Sequence, residues 1–257
     1  MLLSIIIPSF QQSVLLKRAL ESIAEQTFKD YEILIIDGGS KDCIDEVVSA
    51  FMHLPLRFYS EPDKGIYDAM NKGVYHSSGV FLYFMGCDDI LYDNNVLKKV
   101  FEIPYITENH VIYGDVLLSN TGARYYGEFT QFKLLENNIS HQAIFCRRDL
   151  YKILGMFDIR YKLYADWEFN MRWFNSYWVK RQYIPVIIAI YNVAGFSSSL
   201  QDDVFFAEQK DIVKKHFPRI VTYLVGNINK PLHYRLMKAL TFQRLAFIGK
   251  ITDIFSK

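Results

Sequence analysis

The chain has 257 residues, of which 51% are hydrophobic and 16% aromatic, so it can build the core of one large domain. Its 29 Lys and Arg residues against 28 Asp and Glu give a net charge of +1, which argues against nucleic acid as the main partner. The three cysteines, Cys43, Cys87 and Cys146, lie far apart, which argues against a disulfide framework or zinc site and favours a reducing cytosolic setting.

The first part of the chain alternates short apolar runs with segments whose apolar residues recur at helical spacing. Short runs of Ile, Leu and Val that end at turn residues are typical of strands buried on both faces. The predicted elements are a strand at 2–7, a helix at 14–24, a strand at 31–36, a helix at 44–52, a strand at 56–59, a helix at 66–74 and a strand at 80–85. This alternation predicts βαβ units and a parallel sheet.

The pattern changes after this alternating part. The predicted elements are a helix near 96–100, a hairpin formed by 111–118 and 123–127, a strand at 143–146, a helix at 148–154, a helix that begins near Asp166 and a strand at 183–191. The turn at 120–122 and Gly155 supply the expected breaks. The second half is therefore expected to be α/β but not a simple repeat of βαβ units.

Polar residues follow the predicted strands of the first half at the points where these strands end. In parallel α/β sheets, ligands bind outside the carboxyl ends of the strands. The residues at these points are Pro8, Ser9, Asp37, Gly38, Gly39, Ser40, Glu61, Asp63, Asp88 and Asp89. Because four strand ends contribute to one edge of the sheet, this edge is the predicted binding site.

Asp88 and Asp89 are adjacent carboxylates at the end of an apolar run, and they repel each other unless a cation lies nearby. Mg²⁺ is usually held by one or two carboxylates together with substrate phosphates, so the pair suits Mg²⁺ or Mn²⁺ and a diphosphate. The alternative is a cap for the helix near 96–100. Cys87, beside the pair, is interpreted as a small buried residue rather than a nucleophile or ligand.

The familiar phosphate-binding motifs are absent. The sequence has neither G-x-x-x-x-G-K-[ST] nor G-x-G-x-x-G after the first strand, so neither a P-loop nor a Rossmann dinucleotide site is expected. Asp37 could accept hydrogen bonds from a base or a ribose, with Gly38 and Gly39 permitting close approach of the backbone. An ordinary Asp-Gly turn is the alternative.

Several motifs together resemble those of family 2 glycosyltransferases, most closely the small bacterial enzymes of surface polysaccharide biosynthesis. The motifs are SIIIPSF (4–10), AL-x-SI-x-x-QTF (19–28), YEILIIDGGSKD (31–42), SEPDKGIYDAMNKG (60–73) and GCDD (86–89), followed more loosely by HQAIFCRRDLYKILGMFD (141–158) and YADWEF (164–169). The resemblance implies a GT-A fold: a Rossmann-like nucleotide-binding half with a mixed, mainly parallel sheet, plus C-terminal helices. It also implies a nucleotide-sugar donor, a divalent metal and inversion at the anomeric carbon.

The resemblance assigns roles to residues that match the motifs of the family. Asp88 matches the residue that points towards the ribose. Asp89 matches the residue that binds the metal ion, which would be Mn²⁺ or Mg²⁺. Asp166 matches the catalytic base. The residues expected to bind the donor are Pro8, Ser9, Asp37 (on the base), Asp63, Lys64 and Asp88.

The expected acceptor site lies around Asp166. Trp167 could stack on a sugar, and the family commonly has His-Gln near the acceptor, which matches His141. A histidine satisfied by backbone partners and an Asp166 that caps its helix remain alternatives. Glu168 is the rival base, but on a helix it would face elsewhere.

Two departures from the family pattern matter. Gly86 and Cys87 stand where many relatives have a further acidic residue, which puts metal affinity in question. The Q-x-x-R-W motif of processive synthases is missing after Asp166, and no apolar stretch is long enough to span a membrane. We therefore expect transfer of a single sugar.

The last part of the chain is basic and amphipathic. Six Lys and Arg residues interleave with Leu, Ile and Phe between 230 and 257, against one Asp. Such a segment can lie on an anionic membrane or pack on protein. The expected location is the cytoplasm, with peripheral contact with the inner face of the membrane.

These observations predict one catalytic domain over 1–218, with a nucleotide-sugar half (1–120) and an acceptor half (121–218), and a helical tail over 219–257. The predicted function is transfer of one sugar, with inversion, to a saccharide acceptor that is expected to be carried on a lipid. The resemblance to the family implies that the donor is a UDP-sugar. A sugar nucleotidyltransferase and a non-catalytic nucleotide-sugar-binding module are the alternatives. No nucleic-acid partner is expected.

Overall fold

One mixed sheet forms the centre of the computed structural model, which describes residues 1–125, 127–193 and 202–226. Its strands are β1 (Leu3–Ser9), β2 (Tyr31–Asp37), β3 (Leu56–Ser60), β4 (Phe81–Phe84), β5 (Ile90–Leu91), β6 (Val111–Leu118), β7 (Arg124–Tyr125), β8 (Ile144–Arg147) and β9 (Arg181–Tyr191). The strand order is β3-β2-β1-β4-β8-β6-β9-β5, and β7 pairs with β6. The α/β class with a mixed sheet is confirmed.

The first four strands in this order are parallel throughout, as the alternating pattern predicted. Strand β8 then runs antiparallel to both β4 and β6, and β6 runs parallel to β9. The β4–β8 pairing therefore joins the two predicted halves in one continuous sheet. The carboxyl ends of β1, β2, β3 and β4 share an edge.

Helices cover both faces of the sheet. They are α1 (Ser13–Ala24), α2 (Ile44–Ala50), α3 (Ile66–His76), α4 (Val96–Phe101), α5 (Gln131–Glu136), α6 (Asp149–Ile153), α7 (Ala165–Phe174), α8 (Asp203–His216) and α9 (Arg219–Gly226). Short 3-10 turns lie at Ile106–Glu108 and His141–Ala143. Strand β5 and helices α5 and α8 were not predicted, because β5 has two residues and α5 and α8 bury only a few apolar side chains.

Strand β1 is buried at every position, and its side chains alternate between two cores. Ile6 packs in the core that includes residues of α3, α7 and α8. Ile5 and Ile7 pack in the core that includes residues of α1, α2 and α4. This double burial explains why the strand is a continuous apolar run rather than an alternating one.

The predicted tail begins within the described residues but extends beyond them. Val221 of α9 is fully buried in the core that contains α7 and α8, so the first turn of the predicted tail packs on the domain. The rest of the predicted tail, from 227 on, lies outside the described residues and includes the whole basic segment. No helix in the described part of the chain is both long and apolar enough to span a membrane.

Gly73 allows α3 to approach β1 closely. A Cβ atom at this position would lie 2.3 Å from Ile6 Cγ2, and Ile6 is fully buried. We expect Gly73→Ala to lower the free energy of unfolding, because overpacking costs about 1–3 kcal/mol and the higher helix propensity of Ala returns at most about 1 kcal/mol. Urea denaturation measures the difference.

The matched control for this change is Tyr75→Ala on the same helix, where the side chain is 82% exposed. We expect it to change the free energy of unfolding by less than about 0.5 kcal/mol. Equal stability of the Gly73→Ala variant and the unchanged protein would contradict the close packing of α3 on β1.

Candidate active site

A cleft of about 550 Å³ opens at the carboxyl edge of the sheet. The segments that line it are the end of β1, the β3–α3 loop and the start of α3, the β4–β5 turn, the segment 138–142, the segment 162–166 at the start of α7, and the ends of β6, β7 and β9. The cleft is therefore built by both predicted halves of the chain. A volume of this size suits a ligand of several hundred daltons.

Asp88 and Asp89 lie in the turn between β4 and β5 and line the cleft. They do not cap α4, whose N-cap is Asn95. A Cβ atom on Gly86 would lie 2.7 Å from Asp88 Oδ1 and 2.8 Å from Asp89 Oδ2, so two carboxylate oxygens converge over this glycine. In this arrangement, an acidic side chain at position 86 would collide with both carboxylates.

The Asp89 carboxylate is fixed by three hydrogen-bond donors. Oδ2 accepts from the Gly86 N–H at 3.0 Å and from Gln142 Nε2 at 2.8 Å, and Oδ1 lies 3.3 Å from the Asn192 N–H. Burial and the charge of Asp88 raise the pKa of Asp89 to about 6. Asn192 Nδ2 also donates to Asp88 Oδ2 at 3.1 Å, so one residue contacts Asp89 through its backbone and Asp88 through its side chain.

This donor set fits a small divalent cation. The described residues contain no group of three or more Asp, Glu, His and Cys side chains that could hold a metal, so the protein would contribute the two carboxylates and the substrate would contribute phosphate oxygens. Mg²⁺ is commonly bound in this way. Two hydrogen-bonded carboxylates, the buried Asp89 and the partly exposed Asp88, have oxygens that converge over a glycine and meet that requirement.

Asp166 lies in the first turn of α7, is 6% exposed and lines the same cleft. Its Oδ1 lies 2.8 Å from the Tyr67 hydroxyl and 2.8 Å from the Trp167 N–H, while Asn138 Nδ2 donates to Oδ2 at 2.9 Å. The N-cap of the helix is Tyr164, so the capping interpretation of Asp166 is wrong. Donors on every side suit an ionised carboxylate, which can only accept.

His141 links the two acidic groups. Its Nδ1 lies 3.3 Å from Asp166 Oδ2, and its neighbour Gln142 binds Asp89. Burial lowers the pKa of His141, but the hydrogen bond and charge of Asp166, with the charges of Asp89 and Asp88, outweigh burial, so the pKa is raised. The interpretation of His141 as satisfied by backbone partners is therefore wrong.

Asp37 does not reach the cleft. It is 0% exposed, and its carboxylate accepts hydrogen bonds from the Gly39 N–H, from the Ser40 N–H and hydroxyl, and from the Ser60 hydroxyl. The expected direct contact with a base is therefore not available in this arrangement. Asp37 instead fixes the loop that follows β2.

The other residues expected to bind the donor divide into two groups. Pro8, Ser9 and Asp63 line the cleft. Lys64 is exposed and is not part of the lining, and its N–H donates to Asp68. The structure therefore brings together Pro8, Ser9, Asp63, Asp88, Asp89, His141 and Asp166, but not Lys64.

Cys87 is a small buried residue, as interpreted from the sequence. The thiol is 2% exposed and lies 3.1 Å from the carbonyl oxygen of Pro8. Burial raises the pKa of Cys87 to about 12, so at neutral pH it is a neutral thiol rather than a nucleophilic thiolate or a ready metal ligand.

Trp167 and Glu168 both face the core. Trp167 is 8% exposed, stacks on Phe205 at a centroid distance of 5.4 Å and donates from Nε1 to the carbonyl oxygen of Leu134. The expectation that it stacks on a sugar is wrong, because it does not line the cleft. Glu168 pairs with Arg172 and lies near His216, on a different side of the helix from Asp166.

Five residues of the site were not assigned a role from the sequence: Tyr67, Asn138, Gln142, Lys162 and Asn192. Tyr67 is separated from Asp166 by 99 positions and Asn192 from Asp88 by 104. Each is an ordinary polar residue within its own segment. Gln142, in the His-Gln pair, and Tyr67, in the motif at 60–73, lie in segments that resemble the family, but neither was given a role.

A family model described as Glycosyl transferase family 2 matches residues 4–169. The chain is 39% identical over 210 residues to a PGL/p-HBAD biosynthesis glycosyltransferase of Mycobacterium tuberculosis, covering 79% of this chain and 81% of the relative.

Two solved structures have a similar fold. S. aureus TarS 1–349 in complex with UDP-GlcNAc matches with a TM-score of 0.72 and 17% identity, over 96% of this chain and 74% of the other. The match with a longer TarS chain covers 46% of that chain. The mannosyltransferase PcManGT from Pyrobaculum calidifontis, with GDP-Man and Mn²⁺, matches with a TM-score of 0.60 and 15% identity, over 89% and 64%. At these identities the similarity concerns the fold, which is the predicted GT-A type.

Proposed function

Because this chain belongs to glycosyltransferase family 2, we propose that it transfers one sugar from a nucleoside-diphosphate sugar to an acceptor hydroxyl, with inversion at the anomeric carbon. The observation that carries the proposal is that Asp88, Asp89 and Asp166 all line one cleft. A carboxylate pair for an ion-bound diphosphate and a separate carboxylate for a proton are the two parts that this reaction needs. The donor that we propose is a UDP-sugar.

Asp166 acts in this proposal as the general base. The acceptor hydroxyl attacks the anomeric carbon, its proton passes to Asp166 Oδ2, and the bond from the anomeric carbon to the diphosphate oxygen breaks. A single displacement of this kind inverts the configuration. Proton removal by a positioned carboxylate contributes about 10²–10⁴-fold to the rate. Tyr67 and Asn138 hold the carboxylate in the cleft.

Asp88 and Asp89 would hold Mg²⁺ or Mn²⁺, which when bound neutralises negative charge on the leaving diphosphate. Gln142 and Asn192 fix the orientation of the two carboxylates. Pro8, Ser9 and Asp63 would contact the donor from the same edge of the cleft. In this proposal Asp37 acts by shaping the loop after β2.

The acceptor that we propose is a saccharide carried on a lipid. Apolar and aromatic side chains also line the cleft, among them Leu118, Tyr125, Tyr164 and Tyr191. A related protein is named for PGL/p-HBAD biosynthesis. Peripheral membrane contact through the tail at 219–257 stays a prediction, and liposome flotation with and without residues 230–257 would test it.

His141 is expected to make the rate depend on pH. When protonated, His141 places a positive charge 3.3 Å from Asp166 Oδ2, which makes the carboxylate a weaker acceptor for the proton of the acceptor hydroxyl. Its pKa is raised above the usual value of 6.5, so the cation is fully present below 6.5 and is lost as the pH rises through the higher value. Turnover should therefore increase across that range, and pH-rate profiles of the unchanged protein measure the increase.

The control variant for this dependence is His141→Asn, which lacks the titrating ring. We expect its pH-rate profile to lose the inflection attributed to His141. An identical inflection in both proteins would assign the titration to another group.

The proposed function is tested by screening nucleotide sugars for stabilisation of the protein against heat in the presence and absence of Mn²⁺. The nucleotide sugar that stabilises is then incubated with alkyl glycosides as acceptors. Release of the nucleoside diphosphate together with an inverted glycoside supports the proposal. Release of pyrophosphate in a parallel incubation with a nucleoside triphosphate and a sugar 1-phosphate indicates a nucleotidyltransferase, and binding without any release in either incubation indicates a non-catalytic module; either result contradicts the proposal.

A further inference from the structure

The cleft contains an excess of negative charge. Four carboxylates line it, at Asp63, Asp88, Asp89 and Asp166. A nucleoside diphosphate brings further negative charge into the same space, and like charges that share a site repel each other. Among the described residues that line the cleft, Lys162 is the one Lys or Arg.

The Lys162 ammonium contacts two carbonyl oxygens but can still donate a hydrogen bond to a ligand. Its Nζ lies 3.4 Å from the carbonyl oxygen of Lys64 and 3.3 Å from that of Ile159, and no Asp or Glu in the described ranges forms an ion pair with it. An ammonium has three donors, and both of these contacts are long. Lys162 can therefore donate to a ligand without giving up a salt bridge.

The chain around Lys162 is held in place from both sides. The Leu163 N–H donates to Asp202 Oδ2 at 2.9 Å, and the Tyr67 hydroxyl lies 2.7 Å from the Leu163 carbonyl oxygen. Asp202 is 3% exposed. The same hydroxyl, which has one proton, lies 2.8 Å from Asp166 Oδ1, so it places the Leu163 carbonyl oxygen beside Asp166 and donates fully to only one of them.

The carbonyl oxygen of Lys64, one of the two that contact the Lys162 ammonium, lies on the donor side of the cleft. Lys64 follows Asp63 in the loop between β3 and α3, and Asp63 Oδ2 lies within 2.6 Å of the position that a Cβ atom would take on Gly38. Gly38 follows the end of β2. The ammonium therefore contacts the loop after β3 and the segment before α7, and neither of its two contacts is with the segment 138–142 beside Asp166.

We propose that Lys162 binds the diphosphate of the donor and carries part of the charge of the leaving group; this inference rests on the proposed function. When the bond from the anomeric carbon to the diphosphate oxygen breaks, the electron pair stays on that oxygen. The Lys162 ammonium stabilises the resulting charge by a charge-assisted hydrogen bond and transfers no proton. It acts in addition to the ion that Asp88 and Asp89 would hold.

The test compares Lys162→Met with Lys162→Arg, which keeps the charge, and with Lys152→Met, which removes an exposed lysine of α6 outside the cleft lining. Calorimetric titration with UDP and with uridine, in the presence of Mn²⁺, gives the affinities. Loss of a charged hydrogen bond should weaken UDP binding by about 10-fold to 100-fold in Lys162→Met. Uridine binding should not change, because uridine has no phosphate.

We expect Lys162→Arg to bind UDP within a few fold of the unchanged protein and Lys152→Met to bind it equally well. If the unchanged protein binds UDP and Lys162→Met binds it with the same affinity, the inference is overturned and the proposed function stands. A raised KM for the acceptor with unaltered UDP affinity also overturns it. If no nucleoside diphosphate binds to the unchanged protein, both proposals fail together.

Discussion

Replacing Asp166 by Asn is expected to lower turnover by about 10²–10⁴-fold while leaving affinity for the nucleoside diphosphate unchanged. Asn has nearly the shape of Asp but cannot take a proton from a hydroxyl at neutral pH. The side chain is 6% exposed and held by Tyr67, Asn138 and the Trp167 N–H, so its replacement is expected to stay in the same place. Steady-state rates and calorimetric titration with UDP measure the two quantities.

Glu168→Gln is the matched control for Asp166→Asn, because Glu168 is the rival carboxylate two positions away. Glu168 pairs with Arg172, which also donates to the carbonyl oxygens of Leu154 and Met156. Burial opposes ionisation of Glu168, but the nearby His216 and the hydrogen-bonded Arg172 outweigh it and lower its pKa. Its replacement should therefore reduce stability while turnover stays within a few fold.

Two outcomes would contradict the assignment of the base. Turnover of Asp166→Asn close to that of the unchanged protein would remove Asp166 from the role. A loss of turnover in folded Glu168→Gln as large as in Asp166→Asn would make the two carboxylates equal candidates. The thermal midpoint of each variant must accompany its rate, since a loss of folded protein also lowers the apparent rate.

The sequence predicted the sheet edge because strand ends are local features. Each strand of the first half is a continuous apolar run followed directly by polar residues, and parallel pairing brings these ends to one edge. Asp88, Asp89 and Ser9 could therefore be placed together before any contact was known. The position of Asp166 came from resemblance to the family, since an acid at the start of a helix is otherwise an ordinary cap.

The errors arose where the orientation of a side chain decides its role. Trp167 follows Asp166 directly, but successive residues of a helix point about 100° apart, so only one of them faces the cleft. Asp37 lies at the correct strand end, yet Gly39 and Ser40 of the following loop and Ser60 at the end of β3 take up its carboxylate. These contacts depend on the loop conformations, which no spacing rule predicts.

The hydrogen-bond donors around the acids could not be predicted for a different reason. Tyr67 and Asn138 reach Asp166 from separate elements, and Gln142 reaches Asp89 across 53 positions. A polar residue on a half-buried segment is compatible with many partners, and tertiary packing alone selects one. This explains why the acids were found and the residues that orient them were not.

Asp89→Ala is expected to reduce the Mn²⁺-dependent part of UDP affinity by at least about 10-fold to 100-fold. Loss of an outer hydrogen-bond partner of a ligand typically costs about 10-fold to 100-fold in metal affinity, so loss of a carboxylate ligand itself should cost no less. The change also leaves the donors of Gln142 and Asn192 without their acceptor, while Asp88 alone remains. Calorimetric titration of UDP with and without Mn²⁺ measures the effect.

The matched control for Asp89→Ala is Asp93→Ala, which removes a carboxylate four positions away that pairs with Lys99 at the surface. We expect it to bind UDP and Mn²⁺ as the unchanged protein does, because an exposed ion pair of this kind contributes about 0–1 kcal/mol to stability and nothing to the cleft. If UDP binds the unchanged protein equally well with and without Mn²⁺, Asp89 is not a metal ligand. Its burial would then have a purely structural role, since its three hydrogen bonds also tie the β4–β5 turn to Gln142 and the end of β9.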